Sequence, residues 1–106
     1  MLPKQHRLPA PDVRLLMRYG KRYEHGPLQI VAAPKKTSVP RVAFIVSTKI
    51  DKRAAVRNRM KRLLRESVQH RLSTLPPQDF VFIARRPLPD AQEDVDALVA
   101  AVFQKL

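Results

Sequence analysis

Cysteine is absent from this sequence, so neither a disulfide framework nor a thiolate metal site can form. Glycine occurs only twice, at Gly20 and Gly26, too rarely for a glycine-rich phosphate loop. Long apolar runs are missing: none approaches the roughly 20 residues that span a bilayer. The opening "MLPKQHRLPAPD" lacks the apolar centre of a signal peptide, which predicts a cytoplasmic protein with no membrane partner. Carboxylates are scarce, and too few stand near the basic residues to build a two-metal nuclease site. The three histidines, His6, His25 and His70, are not spaced to share a metal and read as solvated surface groups. Ser47 and Ser67 have no His or Asp at the spacing of a nucleophilic triad. The sequence therefore predicts no catalytic residue, no metal site and no cofactor on the polypeptide itself.

What is abundant is positive charge. The 106 residues carry 21 Lys and Arg against 9 Asp and Glu, a formal net charge of +12. Four of the acids, Asp90, Glu93, Asp94 and Asp96, fall in one segment, which leaves residues 1–89 with 20 basic and 5 acidic side chains. A field so segregated asks for a polyanion. The length predicts one domain, residues 1–106, able to bury an ordinary core.

Residues 1–10 contain two prolines and no periodicity, and read as an extended arm. "PDVRLLMRYGK" follows, with Pro11 and Asp12 suited to a helix start, Val13, Leu16 and Met17 on one face, and Gly20 at the end. "LQIVAA" (28–33) reads as a strand. "RVAFIVST" (41–48) is apolar on both faces, which predicts a central strand covered twice. A helix capped by Asp51 is expected from Lys52 to about Thr74, before Pro76 and Pro77. "DFVFIARR" (79–86) is a further strand with both faces apolar. Asp90 with Glu93 resembles a capping box for a last helix striped by Val95, Leu98, Val99, Val102 and Phe103. The order α-β-β-α-β-α predicts an α/β (α+β) sandwich with a mixed sheet.

The helix "AAVRNRMKRLLRE" (54–66) carries five basic side chains, six with Arg53. Val56, Met60, Leu63 and Leu64 define its buried side. Arg53, Arg57, Lys61 and Arg65 follow at four-residue spacing along one flank, with Asn58, Arg59 and Arg62 further round. Like charges at this spacing each cost about 0.2–0.5 kcal/mol, a repulsion that a phosphate array would relieve. Asn58 adds a donor and an acceptor, suited to a base edge or a 2′-hydroxyl. Glu66 is expected to pair with Arg62. Lys35, Lys36, Arg85 and Arg86 form a second basic supply. Nucleic acid is the favoured partner. A ribosomal or other structured-RNA-binding protein without a role in catalysis fits the same composition, and a DNA-binding helix is a third reading.

"AAVRNRMKRLLRE" resembles the motif of the bacterial ribonuclease P protein subunits, in which Arg-Asn-Arg is followed by Lys-Arg and then Arg-Glu. "RVAFIVSTK" is similar to the strand before that motif, "FIARRP" to the strand after it, and "MRYGK" to the end of the first helix. The resemblance implies a mixed four-stranded sheet with helices packed on it, and a left-handed βαβ crossover where handedness rules favour a right-handed one. It implies an accessory subunit of an endoribonuclease whose RNA, with Mg²⁺, removes the 5′ leader of precursor tRNA. The partners would be that RNA and precursor tRNA, with no obligate protein partner. By resemblance, Arg57, Asn58, Arg59, Lys61, Arg62 and Arg65, extended by Arg53, face the RNA. The leader would lie in a cleft formed by Val13, Met17, Val31 and Phe44. The family's first helix commonly presents two Phe where this chain has Val13 and Met17. An aromatic on the next strand is replaced by Val31. "TKIDKRAA" lacks a Gly found in many members.

Overall fold

The computed structural model describes residues 2–106, with the backbone alone at Lys35 and Lys36. Helix α1 (Ala10–Tyr19) leads into strands β1 (Lys21–His25), β2 (Leu28–Lys36) and β3 (Arg41–Ile45). Helix α2 (Ala54–Gln69), strand β4 (Gln78–Ala84) and helix α3 (Gln92–Phe103) follow. The sheet order is β1-β2-β4-β3. β2 pairs antiparallel with β1 and β4, whereas β3 and β4 run parallel, joined by α2. The mixed four-stranded sheet is thus present. The side chains of Lys35 and Lys36, counted above as basic supply, lie outside the described residues.

Two apolar layers hold the sandwich. On one face Met60, Leu64 and Val68 of α2 and Val95, Val99 and Val102 of α3 pack on Leu28, Ile30, Phe80 and Phe82. On the other, Leu16 of α1 with Val13 and Met17 covers Val31, Val81 and Ile83. Residues 80–84 of β4 are all buried, as its apolar faces require.

β3 departs from the expected central position. It is an edge strand, paired within the sheet only with β4. Both of its faces are nevertheless covered, Val42, Phe44 and Val46 in one apolar layer and Ala43 and Ile45 in the other, and its outer edge is met by the arm: Arg7 bridges Val42 in parallel, and the Leu8 N–H donates to the Val42 carbonyl at 3.0 Å. The arm is accordingly docked, with a 3₁₀ turn at Lys4–His6 and Leu2 and Leu8 both buried. This covering blunts an edge that would otherwise template pairing. The second edge, β1, had no apolar pattern to reveal it. Its hairpin with β2 turns at Gly26-Pro27, where Gly26 has φ 57°, as a tight two-residue turn requires.

The helix ends also differ from expectation. Asp51 does not cap α2. Its Oδ1 accepts the Arg53 N–H at 2.8 Å, ahead of the first turn, and Arg53 occupies the cap position. α2 stops at Gln69, and a separate 3₁₀ turn covers Leu72–Thr74. Arg71 leaves helical backbone and donates to the Ser67 carbonyl at 3.0 Å, satisfying an orphaned acceptor. α3 begins one residue later than a capping box at Asp90 would place it, with Ala91 at its cap and no side-chain cap bond. Glu93 and Asp94 nevertheless occupy its first turn, where the dipole favours them. Gly20 ends α1 with φ −73°, so its conformation needs no glycine. Space does: a Cβ there would lie 2.7 Å from the Leu16 carbonyl and closer still to Val31 Cγ1.

Candidate nucleic-acid interface

The crossover places α2 on the sheet with Met60, Leu64, Ser67 and Val68 buried, so its opposite side faces solvent. The seven candidate residues divide into two groups. Arg53, Arg57 and Arg59, toward the N-terminus, are engaged by the protein. Arg53 forms a bidentate pair with Asp51, at 3.0 and 2.9 Å, and remains largely exposed. That side-chain bond, together with the Arg53 N–H, lowers the Asp51 carboxyl to about 2. Arg57 donates to the carbonyls of Asp51 and Lys52 at 3.1 and 2.8 Å, bracing the loop before the helix. Arg59 reaches the Asp90 carbonyl at 3.2 Å. The second group is Asn58, Lys61, Arg62 and Arg65. None of these has a carboxylate or hydrogen-bond partner among the described residues. Glu66 turns to His70 at 3.2 Å, not to Arg62 as expected, so Arg62 is left open.

The helix is held in this orientation by a polar latch to α3 that the sequence did not reveal. Ser67 is fully buried and donates to Asp96 Oδ1. Gln92 Nε2 donates to Ser67 Oγ at 2.8 Å and to the Leu63 carbonyl at 2.9 Å. Arg71 sits 3.8 Å from Asp96. The fold therefore does bring an acid to Ser67, but in a closed network without histidine, which is a structural arrangement and not a nucleophile. Asp96 and Gln92 of α3 thus tie down α2, while Glu93 and Asp94 complement the helix dipole.

The four cleft candidates do not form one surface. Val13 and Met17 are half-buried on α1 and pack toward Val31, whose side chain is sealed at 0 % exposure. Phe44 lies on the opposite face of the sheet, stacked on Phe82 with centroids 5.6 Å apart. Residues alternate faces along a strand, so Phe44 goes with Val42 and Val46, not with Ala43 and Ile45. Beside Met17 the α1 face carries a polar group: Arg22 donates to the Met17 carbonyl at 2.9 Å and to Gln29 Oε1 at 3.0 Å. Arg85 reaches the same Gln29 oxygen at 3.3 Å. No motif marked Arg22 or Gln29, because their meeting depends on the β1–β2 hairpin. No three His, Asp or Glu side chains gather as a metal site among the described residues.

The sequence matches the family model described as Ribonuclease P over residues 2–106. It is similar to a ribonuclease P protein component of Chromohalobacter salexigens, 38% identical over 103 residues, covering 96% of this chain and 75% of that protein. It is also similar to one of Bordetella avium, 37% identical over 83 residues, covering 76% of this chain and 69% of that one. The RNase P protein of Staphylococcus aureus superposes with a TM-score of 0.82 at 21% identity, covering 94% of each chain. That of Thermotoga maritima gives 0.83 at 21%, covering 94% of this chain and 96% of that one. With residues 2–106 matched by the family model and the overall fold shared, this chain belongs to the ribonuclease P protein family.

Proposed function

We propose that this chain is the protein subunit of a bacterial ribonuclease P, binding the catalytic RNA through α2 and assisting removal of the 5′ leader from precursor tRNA. The observation that carries this reading is the open side of α2. Asn58, Lys61, Arg62 and Arg65 project from a helix whose other side is locked to the sheet, and no acid of the described protein neutralises them. Phosphates would fill that role, and each contact would release counterions. Phosphate contacts position an RNA, while Asn58 can read an edge or a 2′-hydroxyl.

The leader is assigned to the α1 side of the sheet, along Val13, Met17, Arg22 and Arg85. Val31 and Phe44 are left out of it, the first for burial and the second for its face. The chemistry belongs to the RNA with Mg²⁺. The polypeptide contributes position and charge. The reaction would take place in the cytoplasm.

Reconstitution tests this. The protein is mixed with ribonuclease P RNA and precursor tRNA at low Mg²⁺. Faster release of the leader is expected. No stimulation, or preferential binding of ribosomal RNA, would overturn the reading in favour of a structured-RNA binder without a role in cleavage.

A further inference from the structure

The N-terminal arm and the basic helix meet at one cleft. Arg7 of the arm and Arg65 of α2 line it with Leu2, Val42 and Phe44. None of these residues is acidic. Both arginines are held in place by their surroundings, yet neither is neutralised. Arg7 has its backbone fixed by the bridge to Val42, and its Nε donates to the Leu2 carbonyl at 3.0 Å. Its two terminal nitrogens have no partner among the described residues. Arg65 lies over the Phe44 ring, its Cζ 6.0 Å from the centroid. That ring is itself fixed by stacking on Phe82, at 5.6 Å and 30°. A guanidinium on an aromatic plate is attracted to the ring and keeps its donors free.

Four arginines elsewhere are paired with acids. Arg41, Arg53, Arg59 and Arg71 each have a carboxylate within 4 Å. Two guanidiniums converging on an acid-free cleft is an arrangement that self-repulsion disfavours unless an anion enters. Continuity names the anion, since Arg65 closes the row of Arg53, Arg57 and Lys61. An RNA backbone following that row runs on into the cleft.

Resting on the function proposed above, we propose that Arg7 and Arg65 form a two-guanidinium clamp for the phosphodiester backbone of the ribonuclease P RNA, with Phe44 as the positioning residue that holds Arg65. The arm thereby becomes part of the RNA footprint, and Phe44 acts on the α2 side of the sheet, away from the leader.

The test uses the full chain and ribonuclease P RNA without precursor tRNA, with affinity measured across a salt series. Arg7→Gln and Arg65→Gln are each expected to weaken binding about tenfold, the equivalent of one charge-assisted hydrogen bond. Each should flatten the log–log salt dependence by roughly 0.7–0.9. The double variant should lose far less than the product of the two single losses, because the residues share one ligand. Phe44→Leu, which keeps the charge and the apolar bulk, should weaken binding without changing the salt slope. Arg7→Lys should recover part of the loss and controls for arm docking.

Unchanged affinity in the arginine variants would overturn the clamp, as would fully multiplicative losses. A loss seen only when precursor tRNA is present would assign the cleft to the leader and overturn it too. A lowered melting temperature with RNA affinity intact would reduce Arg7 to an anchor of the arm. Failure of the wild-type protein to bind the RNA at all would overturn the proposed function, and the clamp with it.

Discussion

Arg41 and Asp79 face each other across the parallel register of β3 and β4, joined by a guanidinium fork, Nε to Oδ1 at 2.8 Å and Nη2 to Oδ2 at 2.7 Å. Asp12 of α1 lies 3.7 Å from the same guanidinium, so one arginine ties the edge strand, the central strand and the first helix together. Asp79→Asn keeps the volume and removes the charge. It should destabilise the protein by about 1–3 kcal/mol, as loss of a partly buried charge-assisted bond does. Urea denaturation of wild type and variant measures it, and an unchanged midpoint would show that Asp12 alone suffices for Arg41.

At Gly20 the packing of α1 on β2 is at its limit. Gly20→Ala puts a methyl group into space held by the Leu16 carbonyl and Val31 Cγ1. The backbone of α1 must then lift, at about 1–3 kcal/mol by the usual cost of overpacking. A melting curve tests this, and an alanine variant as stable as wild type would mean that the helix end yields freely.

The Asp51–Arg53 pair predicts a feature of the acid limb. The folded carboxyl titrates at about 2, below its ordinary 3.8, chiefly because of the Arg53 side-chain bond. A carboxyl with a depressed folded value stabilises the fold fully above the unfolded value and loses that contribution as pH falls through the folded one. Between about pH 4 and pH 2, wild type should therefore lose stability more steeply than Asp51→Asn. Thermal melts at stepped pH compare the two, and parallel acid limbs would contradict the assignment.

Met17 stands half-buried at the margin of the α1 face. A ring there could stack on an unpaired base, worth about 1–3 kcal/mol per base in single-strand binders. Met17→Phe should tighten precursor tRNA binding by the holoenzyme and leave mature tRNA binding unchanged. Equal effects on both, or none, would move the leader off this helix.

Much of the fold was legible from apolar spacing. β4 and the three helices bury, wholly or in part, what their patterns said they would. β1 was not legible, because Lys21–His25 are charged or polar around a single core contact, Tyr23, and the strand exists through its backbone pairing with β2. β3 misled because two apolar faces do not specify what lies along a strand's edges: the arm took the place of a neighbouring strand. The basic row on α2 could be read directly. The division into engaged and open cations could not, since Arg59 meets Asp90 from 31 residues away. Phe44 had the right parity in the sequence, pointing with Val42 and Val46, but parity alone does not say which helix covers that side.

The parallel pairing of β3 with β4 has a consequence for how the chain is made. Arg41 and Asp79 are 38 residues apart, and everything between them is the crossover. Contacts this distant in sequence form late, because loop closure precedes any reward. During synthesis α2 leaves the ribosome before β4, the strand that completes the sheet beneath it. Until Phe80 and Phe82 emerge, the most basic segment of the protein is an amphipathic helix without its platform. Its apolar stripe is then exposed beside a row of cations, in a compartment crowded with RNA. A nascent chain of this design depends on the promptness of its last strand, and slow translation across residues 70–84 would prolong its most vulnerable state.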